Sequence, residues 1–284
     1  MSHGVTAGVL AVVLDDVPNG VLAGLPGMPD VSGQVLGLLL LAALVAGWVD
    51  AVVGGGGLVQ LPALLLALPG ATPVQVLATN KLSGVWGTSI AAITYARKLP
   101  RRPRATGVLV LSAGAGAALG AALATLVPPG VFTPLVLGLV VVIGVVTVAR
   151  PKLGLRERPR ARTVSFGVLL AGIGVGVGVW DGVFGPGTGT LFVFALVGLA
   201  GYEFLTATGL ARIANAVTNL AALAVFSVQG APLWTLGLMM GVLNLLGGWL
   251  GARTAIARGS GFVRVVFLVV VGGLAARLAW DLLG

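Results

Sequence analysis

Two stretches of the chain share one pattern, DAVVGGG at 50–56 and DGVFGPG at 181–187. In each stretch an aspartate precedes the glycine cluster by four residues. Adding 131 to a residue number in the first stretch gives its counterpart in the second. Other pairs match at this offset without an insertion: Lys81 with Arg212, Gly116 with Gly247, and Gly120 with Gly251. The chain is therefore predicted to consist of two repeated halves.

The composition is typical of a polytopic membrane protein. Hydrophobic residues make up 57% of the 284 residues, charged residues make up 9%, and 46 residues are glycine. A soluble domain carries about 25% charged residues, so the composition argues against a soluble enzyme and against a nucleic-acid partner. The chain has no cysteine, and its one histidine, His3, lies in the N-terminal tail. We therefore expect no metal site, no cofactor and no enzymatic activity.

Eight apolar runs are long enough to cross a bilayer, which takes about 20 residues of helix. They lie at 33–53, 72–96, 105–127, 131–149, 164–184, 203–229, 231–252 and 262–283. Two further runs, 58–68 and 190–200, follow the glycine clusters and are too short to span comfortably. The predicted fold class is an all-α polytopic membrane protein with eight long transmembrane helices and two short or broken membrane segments.

Most of the 17 basic residues lie in three joints between spans: 97–104, 150–162 and 253–264. The positive-inside rule places these loops in the cytoplasm. Segment 105–127 then runs from inside to outside, whereas its counterpart 231–252 runs from outside to inside. Opposite orientations need an odd number of crossings in each half, which four long spans and one short segment supply. We therefore expect an inverted repeat in which the two short runs enter the membrane as half-helices.

The chain divides into four predicted parts. Residues 1–32 contain one apolar stretch that is too short to span and lacks the basic start of a signal peptide. A loose tail or a surface helix is expected there. Residues 33–149 form the first transmembrane repeat, 150–163 a basic cytoplasmic linker, and 164–284 the second transmembrane repeat.

The two glycine clusters mark the candidate binding site. Irregular backbone inside a bilayer is tolerated only where it is buried in protein or lines a cavity. If the short segments that follow are helical, their first N–H groups and positive dipole ends form an anion site at the midplane. The alternative is that the glycines only allow close helix packing. The residues concerned are Gly54, Gly55, Gly56, Gly57, Gly185, Gly187, Thr188 and Gly189.

Charged residues inside the predicted spans are rare and unfavourable, at about 3 kcal/mol each. They are Asp50, Asp181, Lys81 and Arg212. The two aspartates are expected either to couple transport to protons or cations, or to hydrogen bond to the broken backbone. The two cations are expected either to bind a substrate oxyanion or to form a salt bridge in each half. Polar residues on the same helices complete the candidate substrate-binding set: Thr79, Asn80, Asn215 and Asn219.

The motifs resemble those of one known family. AGWVD (46–50), GGGGLVQLP (54–62) and ATNKL (78–82) look like the first half of the TauE/SafE sulfite exporter (sulfonate permease) family. DGVFGPG (181–187), with Asn215 and Asn219, is similar to its second half. The resemblance covers about residues 33–284, and the chain departs from it in its N-terminal extension and in Arg212, where a lysine is expected. It implies a bacterial inner-membrane protein of two related halves that transports small sulfur oxyanions or organosulfonates.

The function predicted from the sequence is secondary transport of a small anion of the sulfite or sulfoacetate type by alternating access. Proton coupling through Asp50 or Asp181 is part of that hypothesis. The alternatives are a passive anion channel or facilitator, a carrier of a small carboxylate, and a membrane-embedded enzyme or assembly subunit. The expected partners are the small anionic substrate and the lipid bilayer, with a homo-oligomer allowed. Asn244 is expected to form a hydrogen bond between helices.

Overall fold

A computed structural model describes residues 26–100, 102–124, 164–230 and 232–283. Within these ranges the regular secondary structure is helical and no strand is present. The helices are α1 (Gly33–Val53), α2 (Gly56–Ala67), α3 (Pro73–Lys98), α4 (Pro103–Leu123), α5 (Val164–Val183), α6 (Thr188–Gly198), α7 (Phe204–Gly230) and α8 (Trp234–Leu283). The expected span 131–149, the linker 150–163 and most of the tail 1–32 lie outside the described residues.

Five described helices are long and apolar enough to cross a membrane, namely α1, α4, α5, α7 and α8. Helices α2 and α6 are apolar but have only 12 and 11 residues, which confirms the prediction of two short segments. Helix α3 has 26 residues and corresponds to the predicted run 72–96, but buried polar side chains reduce its hydropathy. The described part of the chain is therefore all-α, with several helices that can span a membrane.

The helix breaks are shorter than the glycine clusters suggested. Helix α2 already begins at Gly56 and α6 at Thr188, whereas the apolar runs begin two residues later. Gly54 has φ +93° and Gly185 has φ +81°, in the left-handed region that a Cβ disfavours. Gly187, the residue before α6, also has a positive φ of +76°. The backbone therefore favours glycine at these three positions, whereas Gly56, Gly57 and Gly189 lie inside the short helices.

Helix α8 covers the two predicted spans 231–252 and 262–283. The backbone leaves the helical region at Gly259, where φ is +73° and ψ is −173°. The expected joint between the two spans therefore lies at this residue. It falls within the basic segment 253–264.

Helix pairs α1·α8 and α4·α5 pack through glycines. In each contact a Cβ added to the glycine would overlap a backbone carbonyl of the partner helix. The contacts join Gly116 to Val175, Gly120 to Val179, Gly247 to Leu44, and Gly251 to Trp48. Small residues allow this close approach of membrane helices. The contacts of Gly247 and Gly251 repeat those of Gly116 and Gly120, because the glycines and their partners are both related by the offset of 131 residues.

Helices α3 and α7 pack antiparallel to each other. Near the end of α3, Tyr95 contacts Gly209 at the start of α7. Earlier in α3, Thr88 Oγ1 accepts a hydrogen bond of 3.3 Å from Asn219 Nδ2, which lies further along α7. The two helices begin at Pro73 and Phe204, so their starts are also related by the repeat offset.

The two short helices pack into different apolar clusters. Helix α2 contributes Leu61 and Leu64 to a cluster with residues of α1, α3 and α8. Helix α6 contributes Phe192 and Leu196 to a larger cluster that includes residues of α3, α7 and α8. Each short helix is therefore anchored by its apolar body, and this leaves its first turn to contact the polar centre of the molecule.

Candidate functional site

The helix breaks after α1 and α5 contact each other. The backbone N–H of Thr190 donates to the Gly54 carbonyl at 3.1 Å, and Thr190 Oγ1 donates to the Val53 carbonyl at 3.3 Å. A Cβ at Gly54 would overlap the backbone of Gly189. The fold thus brings the first turns of α2 and α6 together, although the two segments are far apart in the sequence.

A cavity of about 30 Å³ lies beside this contact. That volume accommodates roughly two water molecules. Every residue that lines it is a glycine or carries a charge, an amide or a hydroxyl group. The lining residues are Asp50, Gly54, Gly56, Gly57, Gln60, Asn80, Lys81, Gly84, Thr88, Asp181, Gly185, Gly187, Thr188, Gly189, Asn215, Asn219 and Asn244.

Most of the residues that the sequence singled out lie in this wall, and three lie elsewhere. Gly55 faces Val270 and Val49. Thr79 Oγ1 donates to the Gln75 carbonyl at 2.7 Å and accepts from the Leu233 N–H at 3.0 Å, so it ties the start of α3 to the start of α8. The third residue, Arg212, is fully buried behind the contact between the two breaks.

Two ion pairs cross between the helices of the predicted halves; the first is buried, and the second is buried at its arginine and partly exposed at its aspartate. Lys81 Nζ on α3 lies 2.5 Å from Asp181 Oδ1 on α5. Arg212 Nη1 on α7 lies 2.6 Å from Asp50 Oδ2 on α1. The expectation of a salt bridge within each half is therefore wrong, because each cation pairs with the aspartate of the opposite half. The antiparallel packing of α3 against α7 places each cation beside the other half's helix break.

Each aspartate also holds the first turn of the short helix that follows it. Asp50 Oδ1 accepts a hydrogen bond from the Gly56 N–H at 3.2 Å. Asp181 Oδ1 accepts one from Thr188 Oγ1 at 2.6 Å. The predicted hydrogen bond to the broken backbone is thus present at Asp50, and at Asp181 a threonine hydroxyl takes its place.

The two cations are not equivalent in the folded protein. Lys81 lines the cavity, whereas Arg212 does not. A Cβ at Gly189 would overlap Arg212 Nη2, so the guanidinium occupies space that only glycine leaves free. Arg212 Nε and Nη2 have no hydrogen-bond partner among the described residues. In this conformation Arg212 supports the contact between the two breaks.

Sequence reasoning missed Gln60 as a residue of the cavity wall. Gln60 is 1% exposed, and its Oε1 accepts hydrogen bonds from Ser83 Oγ at 3.3 Å and from Asn244 Nδ2 at 3.0 Å. Asn244 Nδ2 also donates to the Ala43 carbonyl at 3.1 Å, which confirms its predicted role between helices. The available signal was an amide one helical turn after a glycine cluster, inside an otherwise apolar run.

The fold and the site define a multi-pass membrane protein with a polar cavity where two short helices meet. The sulfite exporter TauE/SafE family model matches residues 39–278. The chain therefore belongs to the TauE/SafE family, as its motifs indicated.

Named relatives cover nearly the whole chain. It is 37% identical over 255 residues to the probable membrane transporter protein ORF9 of Sinorhizobium sp, covering 89% of this chain and 96% of the relative. It is 34% identical to the probable membrane transporter protein YfcA of Escherichia coli strain K12, covering 88% and 92%. A probable membrane transporter protein of Haemophilus influenzae is 32% identical, covering 89% and 97%. No solved structure matches the chain.

Proposed function

We propose that this protein is a secondary transporter of a small anion, of the sulfur oxyanion or organosulfonate class, that works by alternating access. The observation that carries the proposal is the cavity at the meeting point of two short helices, which is lined only by glycines and polar residues and has Lys81 in its wall. Membership of the TauE/SafE family and the names of the relatives support a membrane transporter rather than an enzyme.

The chemistry of the cavity favours an anion. The first turns of α2 and α6 lie in the cavity wall, so the positive dipole ends of both helices lie beside this region. The amide side chains of Asn80, Asn215 and Asn219 add further hydrogen-bond donors to the wall. Lys81 already holds the carboxylate oxygen of Asp181, and an oxygen of a sulfite, sulfonate or carboxylate has the same charge and acceptor chemistry.

The two-half architecture is proposed to be an inverted repeat comprising 33–149 and 164–284. Three observations support it: helix starts that recur at the repeat offset, glycine contacts that recur at the same offset, and the antiparallel packing of α3 against α7. Inverted repeats that meet at broken helices are a common basis of alternating access. The basic loops 97–104, 150–162 and 253–264 then lie in the cytoplasm, and the protein lies in the bacterial inner membrane.

Proton coupling follows from charge balance at the buried pair Lys81–Asp181. A substrate anion that binds Lys81 displaces the carboxylate of Asp181, which is 1% exposed. An unpaired buried carboxylate is unfavourable by several kcal/mol, and protonation removes that penalty. Substrate binding and uptake of one proton by Asp181 therefore favour each other.

The test is a flux measurement with the purified protein in liposomes. Sulfite, sulfate, thiosulfate, small sulfonates and small carboxylates are offered in turn, with and without a pH gradient. Saturable flux that supports counterflow and responds to the gradient is the expected result. Flux that does not saturate would indicate a passive facilitator, and flux of carboxylates alone would change the substrate class. Folded protein that moves none of these anions would overturn the proposal.

Lys81 offers a matched pair of variants for this test. Lys81→Met removes the cation of the cavity wall and is expected to abolish flux. Lys98→Met makes the same change at an exposed position near the end of the same helix and is expected to leave flux unchanged. Equal flux in both variants would contradict a role for Lys81 in binding the anion.

A further inference from the structure

Only the oxygen of the Gln60 side-chain amide forms hydrogen bonds within the described part of the protein. Its Oε1 accepts two hydrogen bonds, from Ser83 and Asn244. Its Nε2 is buried and has no hydrogen-bond partner among the described residues. Buried amide donors are nearly always paired, so an unpaired one in the wall of a cavity indicates a partner that the protein itself does not supply.

The orientation of this amide is determined by the backbone of α1. The Ala43 carbonyl oxygen can only accept hydrogen bonds, so the end of Asn244 that lies 3.1 Å from it is the NH₂ group. The same Nδ2 lies 3.0 Å from Gln60, and the Gln60 atom that faces it is therefore the oxygen. The NH₂ group of Gln60, a residue that lines the cavity, is therefore left without an acceptor among the described residues.

This network has no counterpart in the second half of the chain. At the repeat offset, Gln60 corresponds to Leu191 and Ser83 to Ala214. Asn80, also in the wall, corresponds to Ala211. Of the two matched cations, only Lys81 lines the cavity. The cavity is thus asymmetric within a repeated framework: Gln60, Asn80 and Lys81 line it from α2 and α3, whereas Asn215 and Asn219 line it from α7, at positions that correspond to Gly84 and Thr88.

We propose that Gln60 is a specificity-determining residue of the anion site, which donates from Nε2 to an oxygen of the anion held by Lys81. The assignment rests on the proposed function and deepens it. The anion then contacts α3 through Lys81 and α2 through Gln60. Because Lys81 and Gln60 are separate donors, the site prefers anions with at least two acceptor oxygens, such as sulfite or a sulfonate, over a halide.

Two substitutions at position 60 test the assignment in liposomes. Gln60→Glu keeps an acceptor oxygen for Ser83 and Asn244 but replaces the NH₂ group with a second carboxylate oxygen. Gln60→Met keeps the length of the side chain and removes both functions. The control is Gln75→Glu, the same exchange at the capping box of α3, outside the cavity wall, where glutamate serves equally well.

The expected result is an increase in the KM of the transported oxyanion of roughly 10- to 100-fold for both Gln60 variants, with Vmax changed much less. Gln75→Glu is expected to retain the wild-type KM. A merely structural role would reduce Vmax or the yield of folded protein and leave KM unchanged, and that outcome would overturn the assignment. An equal change in KM in the Gln75→Glu control would also overturn it.

A measurement on the unmodified protein keeps the test independent of folding of the variants. The melting temperature in detergent is recorded with sulfite, with a small sulfonate and with chloride at equal ionic strength. Sulfite and the sulfonate are expected to raise the melting temperature, and chloride is expected to leave it unchanged. An equal rise with chloride would overturn the assignment of two donors while leaving anion transport intact. Absence of transport of any anion by wild-type liposomes would overturn the proposed function itself, and the assignment with it.

Discussion

Asp50 and Arg212 lie 162 residues apart in the chain, yet they form a partly buried ion pair with 2.6 Å between Oδ2 and Nη1. Lys81 and Asp181 form the second pair, and the repeat offset relates Asp50 to Asp181 and Lys81 to Arg212. Each pair therefore joins one half of the chain to the other. Any movement of the halves against each other has to stretch, exchange or break these contacts.

The first prediction concerns the ion pair of Arg212. Asp50→Asn leaves the fully buried guanidinium of Arg212 without its carboxylate, and breaking a buried pair in this way destabilises by about 3–5 kcal/mol. The melting temperature of the purified variant measures the loss. Asp30→Asn, at an exposed carboxyl in front of α1, is the control and is expected to melt like the wild type.

A double variant tests whether Asp50 and Arg212 stabilise the protein through each other. Asp50→Asn combined with Arg212→Gln removes both charges and is expected to recover part of the lost stability, because no buried charge remains unpaired. Strict additivity of the two single effects would show that the residues do not interact, contrary to the short distance between them.

The second prediction concerns the close approach of the two helix breaks. Gly189→Ala places a methyl group where Arg212 Nη2 and the Gly54 backbone already lie. Overpacking of this kind destabilises by about 1–3 kcal/mol, and it also displaces a cavity wall, so that transport is expected to fall. Gly198→Ala, at the other end of α6 where nothing lies within 4 Å of the added atom, is the matched control. Equal melting temperatures for the two variants would contradict the contact.

The third prediction concerns coupling to protons. Asp181→Asn removes the carboxylate that neutralises Lys81, so binding of the anion no longer requires a proton to be taken up at this position. Accumulation driven by a pH gradient is expected to be lost in liposomes, whereas counterflow between equal anion concentrations is expected to persist. Retention of full gradient-driven accumulation would show that Asp181 is not the coupling group.

The fourth prediction concerns the orientation of α3 in the membrane. Because the chain contains no cysteine, each single cysteine variant carries one thiol. Gly70→Cys, in the exposed turn before α3, is expected to react with an impermeant maleimide added to intact cells freed of their outer membrane. Lys98→Cys, near the exposed end of α3, is expected to react only after the membrane is permeabilised. The reverse pattern of labelling would invert the proposed topology.

The class of protein and its helical segments could be predicted from the sequence because they depend on local properties. The length of an apolar run determines whether a helix can span a bilayer, so α1, α5, α7 and the short helices α2 and α6 correspond closely to the predicted runs. A residue pattern such as Asp50 followed by the glycines from Gly54 onward indicates a helix break even when the helices that pack against it are unknown. The family resemblance depends on the same local motifs.

The arrangement of the site was decided by tertiary structure. Sequence alone left both Lys81 and Arg212 as candidates for anion binding, but the packing of α3 against α7 places Lys81 in the cavity wall and Arg212 behind the glycine contact. The partner of each cation depends on which helices face each other, and no spacing within one half contains that information. The unused NH₂ group of Gln60 is a further example, because a carbonyl on α1 determines its orientation through an asparagine on α8.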